Sequence, residues 1–362
     1  MTKILILGGY GNFGKRIAKL LVRQNIHVII AGRDLSKANK LKNELQSSIV
    51  ETAQIDVNKD LGEKLAQLKP KVVINTCGPF QNSDYTVAHT CIKYGVHYID
   101  LADGRDFVTG ITELDSHAKE NKVSVISGAS TVPGLSSAVI ERYRREFAEI
   151  DSMTFGIAPG QKAERGFATT AAILSYVGKK LKPCAGYNIR YGWQDLYIQK
   201  YPVIGRRMMA NCDIPDLDLL PQKYAIKKIK FSAGMENPVL HTGIWLLSWL
   251  VRFGLPINLA KHSSALLKLS NIFDFIGSSD GGMHVILEGK DLAGNAITKT
   301  WFIVALNGDG PYIPTIPSVV LAKKMLEGTF EKFGAMPCLG LVTLEEYLRE
   351  LSHLNVNTYV DY

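Results

Sequence analysis

The stretch ILILGGYGNFGKRIAKLL, residues 4–21, restricts the fold more than any other part of the chain. It places four glycines within seven positions, between an apolar run and an amphipathic one. Ile4 to Leu7 has no polar residue, as expected of a strand covered on both faces of a parallel sheet. Phe13, Ile17, Leu20 and Leu21 fall at i, i+4, i+7 and i+8, which is one face of a helix. Between them Gly9, Gly11 and Gly14 form G-x-G-x-x-G. The first glycine permits a tight turn, the second lets backbone approach a pyrophosphate, and the third lets the helix pack close to the strand. The segment Gly9, Tyr10, Gly11, Asn12, Phe13 and Gly14 is therefore the candidate diphosphate cradle, at the positive end of a helix dipole.

Strand and helix patterns alternate through the first third. Strands are expected at 27–32, 50–56, 71–80, 97–104 and 123–130, with helices at 36–46, 62–68, 84–95 and 111–121. With the first strand this gives an α/β fold, a Rossmann doubly wound parallel sheet of order 3-2-1-4-5-6, with ligands over the C-terminal strand ends. After Pro133 the pattern changes. A helix at 135–147, strands at 152–159, 281–289 and 296–306, and helices near 168–182, 243–253 and 259–270 suggest a second α/β domain on a mixed sheet. The expected division is 1–132 for the dinucleotide-binding domain and 133–315 for a substrate or dimerisation domain. Residues 316–362 then supply C-terminal helices, at 317–327 and 343–353, that pack back on the first domain.

Charge and cysteine usage narrow the partners. The net charge of +8 over 362 residues is spread out, with small lysine clusters at 179–182 and 223–230, and no nucleic-acid-binding module is recognisable. Five cysteines without C-x-x-C spacing read as reduced thiols with no metal site, and a strand starting at Ile4 argues against a signal peptide. A cytoplasmic location is expected. The apolar segment 243–260 carries Arg252 and Pro256 and is short for a membrane span. It reads as a buried or dimer-interface helix, with no stable membrane insertion.

The end of the second strand selects the cofactor. An NAD site usually places Asp or Glu there to accept hydrogen bonds from the ribose hydroxyls. Here the strand ends AGR, and Arg33 offers a planar donor fork for a 2′-phosphate, with Lys37 one turn further on. NADP is the expected cofactor. Asp34, one residue along, keeps NAD open. Asp56, ending the third strand, is a candidate neighbour of the adenine or an ordinary cap.

Four segments resemble the saccharopine dehydrogenase-like family: GGYGNFGKRIA, AGRD, VINTCGPFQ followed by CIKYGVHYIDLADG, and GASTVPGLSS. Near the end, DGPYIPTIPSVVLAKKM and GAMPCLGLVTLEEYL resemble the closing segments of uncharacterised bacterial members. The resemblance implies an NAD(P)-binding Rossmann domain, a second α/β domain that helps close the active site, and often a dimer. It also implies oxidation or reduction of a C–N bond, in which an amine and an oxo acid are joined through an imine. Gly9, Gly11, Gly14, Cys77, Gly78, Pro79 and Phe80 carry over as cofactor contacts.

Hydride transfer belongs to the cofactor, and the protein must hold the substrate and manage one proton. Asp103, Arg105 and Asp106 leave the fifth strand where the nicotinamide half is expected. Arg105 could clamp a substrate carboxylate and an aspartate could move a proton. Lys162, Glu164 and Arg165 form a second anion-binding candidate, and Tyr312, close to Asp309, is a candidate proton donor. His284, on an alternating strand, reads as a core residue. The resulting expectation is a cytoplasmic, homodimeric NADP-dependent oxidoreductase acting on a small carboxylate-bearing substrate at a C–N or C=O bond. Two alternatives compete: a non-catalytic NADP-binding redox sensor, and an extended short-chain reductase using Tyr-x-x-x-Lys at Tyr176/Lys180 or Tyr224/Lys228.

Overall fold

The computed structural model describes residues 2–81, 83–164 and 166–361. The chain divides into two compact units, one of residues 1–138 and 312–350, the other of 139–311 and 351–362.

The first unit opens with β1 (Ile4–Leu7), α1 (Asn12–Arg23), β2 (Val28–Gly32), α2 (Leu35–Leu45), β3 (Val50–Gln54) and α3 (Leu61–Leu68). It continues through β4 (Val72–Asn75), α4 (Thr86–Lys93), β5 (His97–Asp100), α5 (Arg105–Gly110), α6 (Asp115–Glu120) and β6 (Ser124–Ser127). All its strands pair in parallel. Every residue of β1, β2, β4 and β6 is buried. The continuous apolar runs of β1 and β2 suit strands covered on both faces. In α1, Ile17, Leu20 and Leu21 are buried against the sheet, each contributing roughly 1.5–3 kcal/mol. Strand β3 lies at one edge and is half-buried, which matches its polar sequence VETAQ.

The helix α7 (Ser136–Tyr143) spans the boundary between the units. The second unit then holds β7 (Phe147–Ala158), α8 (Phe167–Tyr176), β8 (Tyr197–Tyr201), β9 (Gly205–Asn211), α9 (Asp216–Tyr224), β10 (Lys228–Met235) and α10 (Pro238–Arg252). It is followed by α11 (Ser263–Asn271), β11 (Gly281–Asp291) and β12 (Ala296–Ala305). The chain returns to the first unit with α12 (Ile316–Glu327), which packs on α1, β4 and β5, then β13 (Gly334–Pro337) and α13 (Leu344–Leu351). It ends on β14 (Val356–Val360), in the second unit.

The observed order of the first sheet is β13-β6-β5-β4-β1-β2-β3. This is the expected doubly wound arrangement with one strand added beyond β6. The second sheet, β14-β12-β11-β7-β10-β9-β8, is mixed: β7 and β10 run parallel and the other pairs antiparallel. Strands β8, β9, β10, β13 and β14 were not foreseen. The fifth strand stops at Asp100 rather than 104, because the chain turns into α5. No helix among the described residues is long and apolar enough to cross a membrane.

Candidate functional site

The C-terminal ends of β1, β2, β4 and β5 gather most of the candidate residues of the first unit. Gly8, between β1 and the turn, has φ of +70°, a conformation that a side chain disfavours. A Cβ there would also lie 2.7 Å from Thr76 Oγ1 and 3.2 Å from Cys77 Sγ. The β1–α1 turn and the loop after β4 are therefore packed backbone against side chain. At Gly14 a Cβ would collide with the Gly8 carbonyl oxygen and sit 2.7 Å from Gly9 Cα. Only glycine lets α1 start this close to the turn. Gly11 is the N-cap of α1 and brings no capping side chain, so the helix opens against bare main chain. An anion accepted there meets backbone N–H groups and the positive end of the dipole.

Tyr10 does something the sequence did not show. Its ring lies against Gly32 at the end of β2, and its hydroxyl accepts from the Asp34 N–H at 3.0 Å. The glycine turn thereby holds the β2–α2 loop. Asp34 is the N-cap of α2, accepting from Ser36 N (3.0 Å) and Lys37 N (3.2 Å). The Ser36 hydroxyl and these amides keep its carboxyl below the usual range. Its carboxylate is thus occupied by its own helix, and Arg33 stands as the strand-end residue with specificity potential. Lys37 pairs with Asp34 at 3.5 Å, both side chains largely in water, which contributes little. Asp56 accepts from Asn58 N at 3.2 Å and lies 3.6 Å from Lys59 Nζ, the capping arrangement of an ordinary turn.

The loop after β4 is fixed from below. Buried Asn75 donates to the Tyr98 hydroxyl at 3.1 Å and accepts from Cys77 N at 3.0 Å. Thr76 Oγ1 donates to Leu7 O at 2.8 Å, and the Gly78–Pro79 peptide is cis. Cys77 is exposed to solvent. Surrounding protein pushes its thiol up to about 11, with the Arg33 guanidinium pulling the other way. The raised value favours the protonated thiol at neutral pH. Phe80 is buried and packs on Phe107 with ring centroids 5.3 Å apart.

Beyond β5, Asp103 Oδ1 accepts from Gln81 Nε2 at 3.0 Å, and desolvation raises its carboxyl above the ordinary value. Arg105 opens α5 and is 6% exposed. It is a buried cation, whereas its neighbour Asp106 in the same helix is exposed. Tyr312 sits in a short 3-10 turn beside α1, with the Arg16 guanidinium 5.4 Å from its ring centre. Arg16 in turn donates to Asn12 O at 2.6 Å. Tyr312 is therefore attached to the start of the helix that follows the glycine turn.

Asp100 was missed from sequence. It is fully buried at the end of β5, and its Oδ1 accepts from Ala102 N, Ser127 Oγ and Gly128 N, each at 2.9 Å. Among the described residues its Oδ2 finds no hydrogen-bond partner. Burial pushes the carboxyl up to about 6. Asp100 and Asn75 share one signal, a polar residue at the last position of a buried strand.

The remaining candidates lie in the second unit. His284 is fully buried on β11, with Tyr201 Oη 2.8 Å from Nδ1 and Tyr197 Oη 3.3 Å from Nε2, and burial pushes it down to about 3. Tyr176 is bonded to Cys212, Tyr224 donates to Glu141 at 2.9 Å, and Lys228 lies over the Tyr187 ring. Lys228 thus faces Tyr187 and not Tyr224, whose hydroxyl is taken by Glu141, so the Tyr-x-x-x-Lys reading at Tyr224/Lys228 finds no support. Lys162 N donates to Ser278 O at 2.8 Å, while Arg165 lies outside the described residues. No cluster of metal-ligating side chains occurs among the described residues.

Bare turn, uncapped helix and doubly wound sheet define a dinucleotide-binding protein of Rossmann class. Residues 4–126 match the family described as the saccharopine dehydrogenase NADP binding domain. Residues 4–126 are thus an NADP-binding domain of the kind found in saccharopine dehydrogenase, with NADP as its cofactor. The fold agrees over the full length. Saccharopine dehydrogenase (L-Glu forming) from Saccharomyces cerevisiae aligns over 100% of both chains at TM-score 0.68 and 12% identity. Serine dehydrogenase from Escherichia coli covers 35% of this chain and 81% of its own, at 16% identity and TM-score 0.29. Yeast methylglyoxal/isovaleraldehyde reductase Gre2, complexed with NADPH, covers 27% and 37%, at 20% and 0.25. No curated protein matches this chain.

Proposed function

We propose that the protein is an NADP-dependent oxidoreductase of saccharopine dehydrogenase-like type, acting on a small carboxylate-bearing substrate at a C–N or C=O bond. The observation carrying this reading is the β1–α1 turn, where Cβ atoms at Gly8 and Gly14 would collide with neighbouring atoms and nothing but main chain opens the helix. Bound NADP would supply the hydride chemistry. Gly9 to Gly14 would hold the diphosphate, Arg33 and Lys37 the 2′-phosphate, and Cys77 to Phe80 the nicotinamide side, with Asp56 bordering the adenine.

Within this proposal the substrate roles fall to Asp103, Arg105 and Tyr312. Arg105, being buried, would meet a substrate carboxylate in surroundings that strengthen a charge-assisted pair. Desolvation favours the protonated form of Asp103, which suits a group that gives and takes a proton. Tyr312, attached to α1 through Arg16, would donate a hydrogen bond. Residues 1–132 would bind the cofactor and 133–315 the substrate, in a cytoplasmic homodimer.

The test is NADPH fluorescence during incubation with paired oxo acids and amines. Substrate-dependent oxidation supports the enzyme. Binding without turnover across a broad panel would replace it with a redox sensor. Arg105→Ala should raise KM at least tenfold with NADPH affinity nearly unchanged, and equal loss of both would refute the clamp.

A further inference from the structure

The helix α10 is apolar on all sides yet lies at the surface. One side, with Ile244, Leu247 and Val251 at i, i+3 and i+7, packs into the cluster around Trp193, Val177 and Leu259. The opposite side carries Val239, Leu246, Leu250 and Phe253, at i, i+7, i+11 and i+14, which are 65%, 54%, 48% and 79% exposed. A helix apolar all round is normally enclosed. At 15 residues α10 extends about 22 Å, too short for a hydrocarbon core of about 30 Å. Of the two expectations for this segment, a buried or a dimer-interface helix, the first fails, because only one of its two apolar sides is covered by the protein.

Charge identifies what covers the other. From Asn237 to Phe273 there is no Asp or Glu, while Arg252, Lys261 and Lys268 are all present and exposed. None of the three makes an ion pair among the described residues, though Arg252 donates to Gln194 Oε1 at 2.6 Å and lies 4.0 Å from the Tyr191 ring centre. A second copy of the chain seated on this side about a two-fold axis would bring three cations against three. Aromatic groups complete the pattern. Trp249 stacks on Phe253 at 5.6 Å, and the Arg252 guanidinium lies 4.8 Å from the Trp249 ring, so indole and cation stand together beside exposed leucines. Lysine, arginine and tryptophan bordering an apolar stripe suit the headgroup level of a bilayer. The apolar character continues along α11 to its end, where Leu269 and Ile272 are 51% and 63% exposed.

We propose that α10 and the segment running to the end of α11 form a peripheral docking face for the surface of an anionic lipid bilayer. Leu246, Leu250 and Phe253 enter the headgroup boundary, and Lys261 and Lys268 meet lipid phosphates. The helix lies in the interface plane and does not cross it.

The experiment is co-sedimentation of the full chain with vesicles of phosphatidylcholine alone or mixed with phosphatidylglycerol. The account expects partition onto the mixed vesicles at least tenfold stronger than onto neutral ones, falling as salt rises. Leu250→Ser with Phe253→Ser should weaken it at least tenfold. Lys261→Glu with Lys268→Glu, which leaves every apolar contact in place, should do the same. Thermal unfolding of both variants reports that they are folded. Equal partition onto both vesicle types, or no change in the charge variant, overturns the proposal. So does a wild-type dimer that the serine variant converts to monomer, which would assign the face to a second copy.

Discussion

The two sheets each have seven strands, and each fully buries an ionisable side chain, but the two do so in opposite ways. In the first sheet it is Asp100, at the C-terminal tip of β5, where three donors converge on one oxygen and burial raises the carboxyl to about 6. In the second it is His284, along β11 between two tyrosine hydroxyls, pushed down to about 3. A buried polar group at a strand tip ties loops together where the sheet opens to a ligand. The same kind of group along a strand is part of the core. Position in the strand, more than residue type, separates the site from the scaffold.

The contrast breaks first at the glycine turn. Gly14→Val places a branched side chain against the Gly8 carbonyl and Gly9 Cα. NADPH affinity should fall more than a thousandfold, about 4 kcal/mol, with lowered melting temperature from overpacking. A titration by NADPH fluorescence reads it, and near-normal affinity would mean the turn does not hold the diphosphate.

Acid should then separate the units. His284 has its native value below the ordinary 6.5, so its contribution is full above that pH and lost as pH falls toward 3. The slope is about 1.4 kcal/mol per unit, or roughly 3 kcal/mol between pH 6.5 and 4. Asp100 has the opposite sign. Its native value lies above 3.8, so its contribution is full below 3.8 and lost as pH rises through 6, a change of roughly 2 kcal/mol between pH 4 and 6. Hydrogen exchange resolved by segment should show the second unit loosening relative to the first on acidification. His284→Gln should flatten one slope. Asp100→Asn, which retains the accepting oxygen, should flatten the other. Parallel responses in both units would remove the contrast.

Much of the first unit was legible because its constraints are local. Glycines at fixed spacing, an apolar run on each central strand and a helix face of period 3.6 are visible in one short window. The opposite holds for what was missed. Asp100 and Asn75 matter because β4, β5 and β6 lie side by side, and Tyr10 because Gly32 leaves room for its ring; none of these is a neighbour in sequence. Strand β10 and the edge strands β8 and β14 carry charged or mixed residues whose alternation is weak until a partner strand is known. The segment 243–260 was recognised as apolar, but a sequence cannot show that Leu246 and Phe253 point to water while Leu247 and Val251 do not.

The smallest expected effect is also the most direct test, since the account rests on the edge of the first sheet being an NADP site with Arg33 as its discriminating residue. Titration with NADPH and NADH should show NADPH bound at least tenfold tighter, about 1.4 kcal/mol, and Arg33→Ala should erase that preference while leaving NADH affinity unchanged. Tighter binding of NADH by the wild-type protein, or binding of neither nucleotide, would contradict it.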